Sequence, residues 1–151
     1  RYGTLIIIND NPNVAKAVKA DGVHLGQKDA DYSYARNLLG QKAIIGVTCH
    51  GSKELAFKAA SLGANYVAFG AFYKSETKNA KYKANTEILE WWQEAVEIPC
   101  VAIGGINISN AENIIKAGAD FIALSNAVWS DSKNIASVVL QLSQLCHQHI
   151  H

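Results

Sequence analysis

Gly63-Ala64-Asn65-Tyr66-Val67-Ala68-Phe69-Gly70 is echoed later in the chain by Gly118-Ala119-Asp120-Phe121-Ile122-Ala123-Leu124-Ser125, and more loosely by Ala20-Asp21-Gly22-Val23-His24-Leu25. In each copy a glycine or alanine closes a helical stretch, an Asp or Asn leads out of it, and a short apolar run follows. Repeats of one β-α unit suit a closed barrel, in which every strand has an equivalent environment. They suit an open sheet less, because its edge strands differ from its centre. The same alternation runs outward from the repeats. Thr4-Leu5-Ile6-Ile7-Ile8 is β-branched, unbroken and uncharged, and reads as a strand buried on both faces. Asn9-Asp10-Asn11-Pro12 stops it and offers caps and a leading proline for a helix through Val14, Ala15 and Val18. Further strands are expected at 22–25, 43–49, 66–72, 100–103 and 121–124. Helices are expected at 34–39, after Ser52, around Leu89 to Val96, at 110–117 and at 135–146, with a long polar loop at 73–85.

This makes six β-α units of roughly 25 residues each. Continuous strand runs joined through helices imply a parallel sheet with right-handed crossovers. A doubly wound sheet and a (β/α)8 barrel both fit that much, and the repeats favour the α/β (β/α)8 TIM barrel. The 151 residues read as one domain. With 14 Lys and Arg against 13 Asp and Glu, the formal net charge is +1, which excludes the basic footprint of a dedicated nucleic-acid binder. Apolar residues at 49% and charged residues at 18% exclude intrinsic disorder. No apolar run approaches the length of a membrane span. Cys49, Cys100 and Cys146 show no metal spacing and read as reduced, mostly buried thiols of a cytoplasmic protein. A catalytic Cys49 is disfavoured because its neighbour His50 would point to the opposite face of a strand. The closing run from His147 through His149 to His151 reads as a frayed end rather than a metal site. The chain contains no methionine and begins Arg1-Tyr2-Gly3 without a signal pattern, so a leading segment is expected ahead of it.

In either fold, reactive groups belong just after the strands. Asp10 follows the first strand and Asp29 the second. Two carboxylates on adjacent strand ends can share a hard cation such as Mg²⁺ together with substrate phosphate oxygens, although each would also suit a helix cap. After the third strand, Thr48 could hydrogen-bond a phosphate, and His50, two residues on and so in the same phase, could serve as an acid or base or simply pack. The loop Tyr73-Lys74-Ser75-Glu76-Thr77-Lys78 is long enough to be functional, and Lys78 could offset charge on a phosphate leaving group. Gly104-Gly105 and Ser125-Asn126-Ala127 follow the fifth and sixth strands and read as a paired phosphate cup on helix N-termini. Many barrels place that cup after strands seven and eight. The six units would then be strands 3–8, with about 50 to 60 residues (two units) ahead of them. Trp91-Trp92 reads as helix-to-barrel packing.

Taken together, Ile8-Asn9-Asp10, Asp21-Gly22-Val23-His24-Leu25-Gly26-Gln27-Lys28-Asp29, Gly46-Val47-Thr48-Cys49-His50, Thr77-Lys78 and Ala102-Ile103-Gly104-Gly105-Ile106 resemble the thiamine phosphate synthase family, and the match runs along the whole chain. The resemblance implies a (β/α)8 barrel that joins hydroxymethylpyrimidine diphosphate to a thiazole phosphate. The implied course is dissociative: diphosphate leaves, a pyrimidine carbocation forms, and the thiazole nitrogen attacks it. It implies Asp10 and Asp29 as Mg²⁺ ligands, Asn9 as the pyrimidine contact, and Thr48 and Lys78 as diphosphate contacts. Thiazole phosphate would be met by Ser75, Glu76, Thr77, Gly105, Ser125 and Asn126. The family's Gln-x-Arg-x-Lys strand has no counterpart in the chain, Lys74-Ser75 stands where Pro-Thr is usual, and Asn126 where a smaller residue is usual. Small-molecule substrates are the implied partners, without nucleic acid or membrane, and a homo-oligomer is compatible with all of this. A related thiazole tautomerase, an isomerase needing no Mg²⁺, should lack the acidic pair. The third alternative is a non-catalytic barrel that binds thiamine precursors.

Overall fold

A computed structural model of the chain describes residues 3–74, 82–130 and 132–149. Six strands, β1 (Ile7–Asn9), β2 (Gly22–Leu25), β3 (Ile44–His50), β4 (Tyr66–Gly70), β5 (Cys100–Ile103) and β6 (Phe121–Ala123), alternate with helices. The helices are α1 (Pro12–Ala17), α2 (Tyr32–Leu39), α3 (Lys53–Ser61), α4 (Glu87–Ala95), α5 (Ala111–Lys116), α6 (Asn126–Trp129) and α7 (Ile135–Gln148). All strand pairs are parallel, and their order across the sheet is their order in the chain. That order has no point of reversal, so the doubly wound alternative falls and the sheet is a singly wound, half-barrel arrangement.

Register assigns the two sheet faces. Val23, Ile45, Val67 and Cys100 lie on one face, with Leu25, Val47, Cys49, Phe69 and Ala102. These side chains meet Ala15, Ala35, Ala56, Ala59, Leu89, Trp92, Ala111 and Ile114 from the helices in one buried core. Alanines on the helices let helix and sheet approach closely, and larger residues fill the gaps. Trp92 is the largest fully buried side chain, and its indole N–H donates to the Ile98 carbonyl at 2.7 Å. Burying an indole of about 200 Å² stabilises by about 5 kcal/mol as an upper estimate. Packing is therefore the role of Trp92. Trp91 sits edge-on to Phe57 and under the Lys53 ammonium, between α4 and α3.

The first strand departs from expectation. Leu5 and Ile6 are 60% and 58% exposed and precede β1, so the run is not buried on both faces. β1 and β6 are the two edges of the sheet, and Phe121 on β6 is likewise 61% exposed. No helix among the described residues is long and apolar enough to cross a membrane.

Candidate active site

The strand ends gather the chemistry on one side of the sheet. Asp10 follows β1 in a left-handed conformation (φ 67°), which Asp tolerates better than most residues. Its backbone N–H donates to the His24 carbonyl at 2.7 Å, tying the end of β1 to β2. In the turn after β2, Asp29 accepts the Gly26 N–H at 2.7 Å. Neither carboxylate caps a helix. Asn11 caps α1 through bonds from the Asn13 and Val14 N–H groups at 3.0 and 3.1 Å, and Asp31 caps α2. The capping role therefore belongs in each case to a residue one or two positions on. Both carboxylates are exposed. Carboxylate oxygens are donors of the kind Mg²⁺ takes, usually with water and substrate oxygens in the rest of its shell. Among the described residues no cluster of three or more His, Cys, Asp or Glu could hold a metal alone, which includes the histidines His147 and His149.

Thr48 lies within a polar network that no single strand announces. Asn9, His24, Gly46 and Tyr66 share one register row across β1 to β4, on the face opposite the core. His24 Nδ1 meets the Tyr66 hydroxyl at 2.9 Å, and its Nε2 meets Thr48 Oγ1 at 2.8 Å. The Gln27 side-chain amide donates to the Thr48 carbonyl. Burial holds the His24 imidazole below its ordinary range, partly offset by the Asp29 carboxylate, and pushes the Tyr66 phenol up to about 12. His24 is thus neutral and Tyr66 keeps its proton near neutrality. Sequence reading passed over His24, Tyr66 and Gln27. The available signal was a histidine inside an otherwise apolar strand, where a polar group needs partners.

His50 does not keep phase with Thr48. The register of β3 against β4 shifts between them, His50 takes φ 53°, and its ring stacks on Tyr82 at 4.1 Å between centroids. Cys49 is buried and its thiol is pushed up to about 12, which removes it as a nucleophile at neutral pH. Cys100 is buried too, while Cys146 is half-buried, and all three are free.

At β5 the glycine pair serves the protein's own loop. Gly104 and Gly105 have φ of 102° and 68°, and a Cβ on Gly105 would lie 2.6 Å from the Lys74 carbonyl oxygen. The glycines admit the loop after β4, which bonds through the Tyr73 N–H to the Gly104 carbonyl at 3.0 Å. The helix does not follow at once: Asn107 to Asn110 form a bonded turn, and α5 starts at Ala111. Gly105 is therefore a turn residue rather than part of a helix N-terminus. At β6 the arrangement is closer to the one expected. Ser125 precedes the short helix α6, which begins at Asn126 and was not anticipated as a separate element. Ser75, Glu76, Thr77 and Lys78 lie outside the described residues.

Comparison with known proteins bears on this geometry. The family description "Thiamine monophosphate synthase" matches residues 1–128. The chain belongs to the thiamine monophosphate synthase family. It is 49% identical over 139 residues to the thiamine-phosphate synthase of Rhodospirillum centenum, covering 92% of this chain and 67% of that protein. It is 53% identical over 137 residues to that of Erythrobacter litoralis, covering 89% and 64%. Thiamine phosphate pyrophosphorylase from Pyrococcus furiosus superimposes with a TM-score of 0.88 at 33% identity, covering 99% of this chain and 71% of the other. The chain thus spans about two thirds of the length of these family members.

Proposed function

We propose that the chain supplies strands 3–8 of a (β/α)8 barrel whose whole is a thiamine phosphate synthase, a cytoplasmic transferase acting on small molecules. Its reaction joins 4-amino-2-methyl-5-hydroxymethylpyrimidine diphosphate to thiazole phosphate and releases diphosphate. The observation that carries this reading is the placement of Asp10, Asp29 and Thr48 at three successive strand ends, with the helix caps taken by other residues. Family membership supplies the substrate class.

In this reading Asp10 and Asp29 would hold Mg²⁺, whose charge favours departure of diphosphate. Thr48 donates a hydrogen bond to a diphosphate oxygen, and Lys78 adds a point charge. Asn9 orients the pyrimidine from the same register row as His24. The bond from the pyrimidine methylene carbon to oxygen breaks with its electron pair going to diphosphate. The thiazole nitrogen lone pair then forms the new carbon–nitrogen bond. Gly105 through the backbone of its turn, and Ser125 and Asn126 at the start of α6, with Ser75, Glu76 and Thr77, hold the thiazole phosphate away from the leaving group. The isomerase alternative has no use for the acidic pair.

The test uses the protein extended by the two further β-α units proposed above. Thiamine phosphate should form only with Mg²⁺, and Asp29→Ala should reduce the rate at least about a hundredfold, as expected when an electrostatic contact to the leaving group is lost. Undiminished synthesis in EDTA, followed by chromatography of the product, would overturn the metal assignment.

A further inference from the structure

The ladder between β2 and β3 stops at Leu25 and Val47, while β3 runs on to His50. Just past the last paired residue, the Thr48 carbonyl has no β2 strand residue opposite it. The Gln27 side chain takes that place, and its amide donates to the Thr48 carbonyl oxygen. A carbonyl only accepts, so the amide must present its nitrogen, and the partner settles which way the group is turned.

Gln27 lies within a turn that closes on itself. The Gly26 N–H donates to Asp29 Oδ2 at 2.7 Å, and the Asp29 N–H returns to the Gly26 carbonyl at 3.3 Å. A Cβ on Gly26 would lie 2.5 Å from Asp29 Oδ2, so the turn requires its glycine. These bonds fix the Asp29 carboxylate within the turn, and Gln27 fixes the turn against the end of β3. Gln27 is exposed. Ordering an exposed glutamine costs about as much as one neutral hydrogen bond returns, so the tie adds little stability and its consequence is geometric.

We propose that Gln27 is a positioning residue that sets the spacing between the Asp29 carboxylate and the Thr48 hydroxyl by tying the β2 turn to β3. The metal's charge and the hydroxyl then meet one leaving group at a fixed separation, where a misplacement of about 1 Å can cost about a hundredfold in rate. The roles of Asp29 toward Mg²⁺ and of Thr48 toward diphosphate rest on the proposed function; the tie between turn and strand does not.

The tests use the extended protein and Gln27→Met, which keeps the side chain's length and removes the donor. In NMR of the unaltered protein, one Gln27 amide proton should exchange with solvent more slowly than the other. Equal exchange of the two overturns the tie. Calorimetric binding of inorganic diphosphate with Mg²⁺ should weaken about tenfold in Gln27→Met, the loss usual when a partner behind a metal ligand is removed. The urea midpoint should hardly move. In a Thr48→Val background the same substitution should cost less than about twofold, because no hydroxyl is left to space. Unchanged affinity, an equal loss in both backgrounds, or a loss accompanied by a lower midpoint would overturn the positioning role. An unaltered protein that binds Mg²⁺ and diphosphate yet makes no thiamine phosphate would count against the proposed function alone. One that binds neither would overturn both, the exchange result then deciding only the tie.

Discussion

At Asp21, Asn65 and Asp120 a side-chain oxygen accepts a backbone N–H from the preceding strand or its lead-in. The donors are Ile6 at 2.7 Å, Ile45 at 2.9 Å and Cys100 at 2.8 Å. This is the physical content of the repeated Gly-Ala-Asp/Asn step: each copy ties the start of one strand to its neighbour and so sets their register. The repeat was legible in sequence because the clamp needs the same residue type at the same place. The row on the opposite face was not, since His24, Gly46 and Tyr66 become neighbours only across three strands. That row makes two residue-scale predictions. Gly46→Ala forces the Tyr66 ring aside and should cost about 1–3 kcal/mol, the usual price of overpacking, read as a lower urea midpoint. An undisturbed midpoint would show that the ring does not lie over Gly46. The second concerns pH. Burial lowers the folded-state pKa of His24 below its ordinary 6.5, so below that value the unfolded chain binds more protons than the folded one. Stability from this group is present above pH 6.5 and is lost as pH falls toward the folded-state value. The urea midpoint should fall between pH 7 and pH 5, and His24→Asn should flatten the slope; an equal slope in that variant would reassign the effect.

Among the elements, α2 is fixed from its own C-terminal end. Arg36 donates to the carbonyls of Gly40 and Ala43 at 3.0 and 2.7 Å, to the Tyr32 hydroxyl, and through Nη2 to Asn65 Oδ1 at 2.8 Å. One guanidinium thus joins α2 to the lead-ins of β3 and β4. A planar fork can reach all these acceptors, and a single ammonium cannot. Arg36→Lys should therefore lower stability by about 2 kcal/mol, measured by denaturant unfolding, with the slope of the transition unchanged. A loss within a few tenths of a kcal/mol would mean that the carbonyls are satisfied by solvent. Element types and most boundaries follow from periodicity and caps, as at Asn11-Pro12 and Ser52, whose Oγ accepts the Leu55 N–H at 3.2 Å. Two features escape such reading. The register shift between Thr48 and His50 depends on how β3 meets β4, and the four-residue α6 is too short to show a period.

For the molecule as a whole, the decisive feature is a parallel sheet with two uncovered edges. The run Thr4 to Ile8 has the composition of a doubly buried strand, yet Leu5 and Ile6 are exposed beside β1, and Phe121 and Trp129 are exposed at and after β6. Composition reports the environment a strand is built for, whereas exposure reports which neighbours are present. Parallel strands are rarely left open to water on both faces, and eight strands are the number whose side chains just fill a barrel interior. Two more β-α units between β6 and β1 would cover both edges, which is the arrangement proposed above. The 151-residue chain alone should therefore bind an apolar fluorescent dye and self-associate in sedimentation, with Leu5, Ile6, Phe121 and Trp129 as the exposed surface. Supplying the two further β-α units proposed above should abolish dye binding, give a discrete species and raise the unfolding midpoint. The double substitution Leu5→Lys and Phe121→Lys separates the causes. It should reduce dye binding and association of the chain alone, while destabilising the extended protein, where both positions would be buried. If the chain alone sediments as a dye-silent monomer, or if the lysines leave the extended protein as stable as before, the edges are not where the barrel closes.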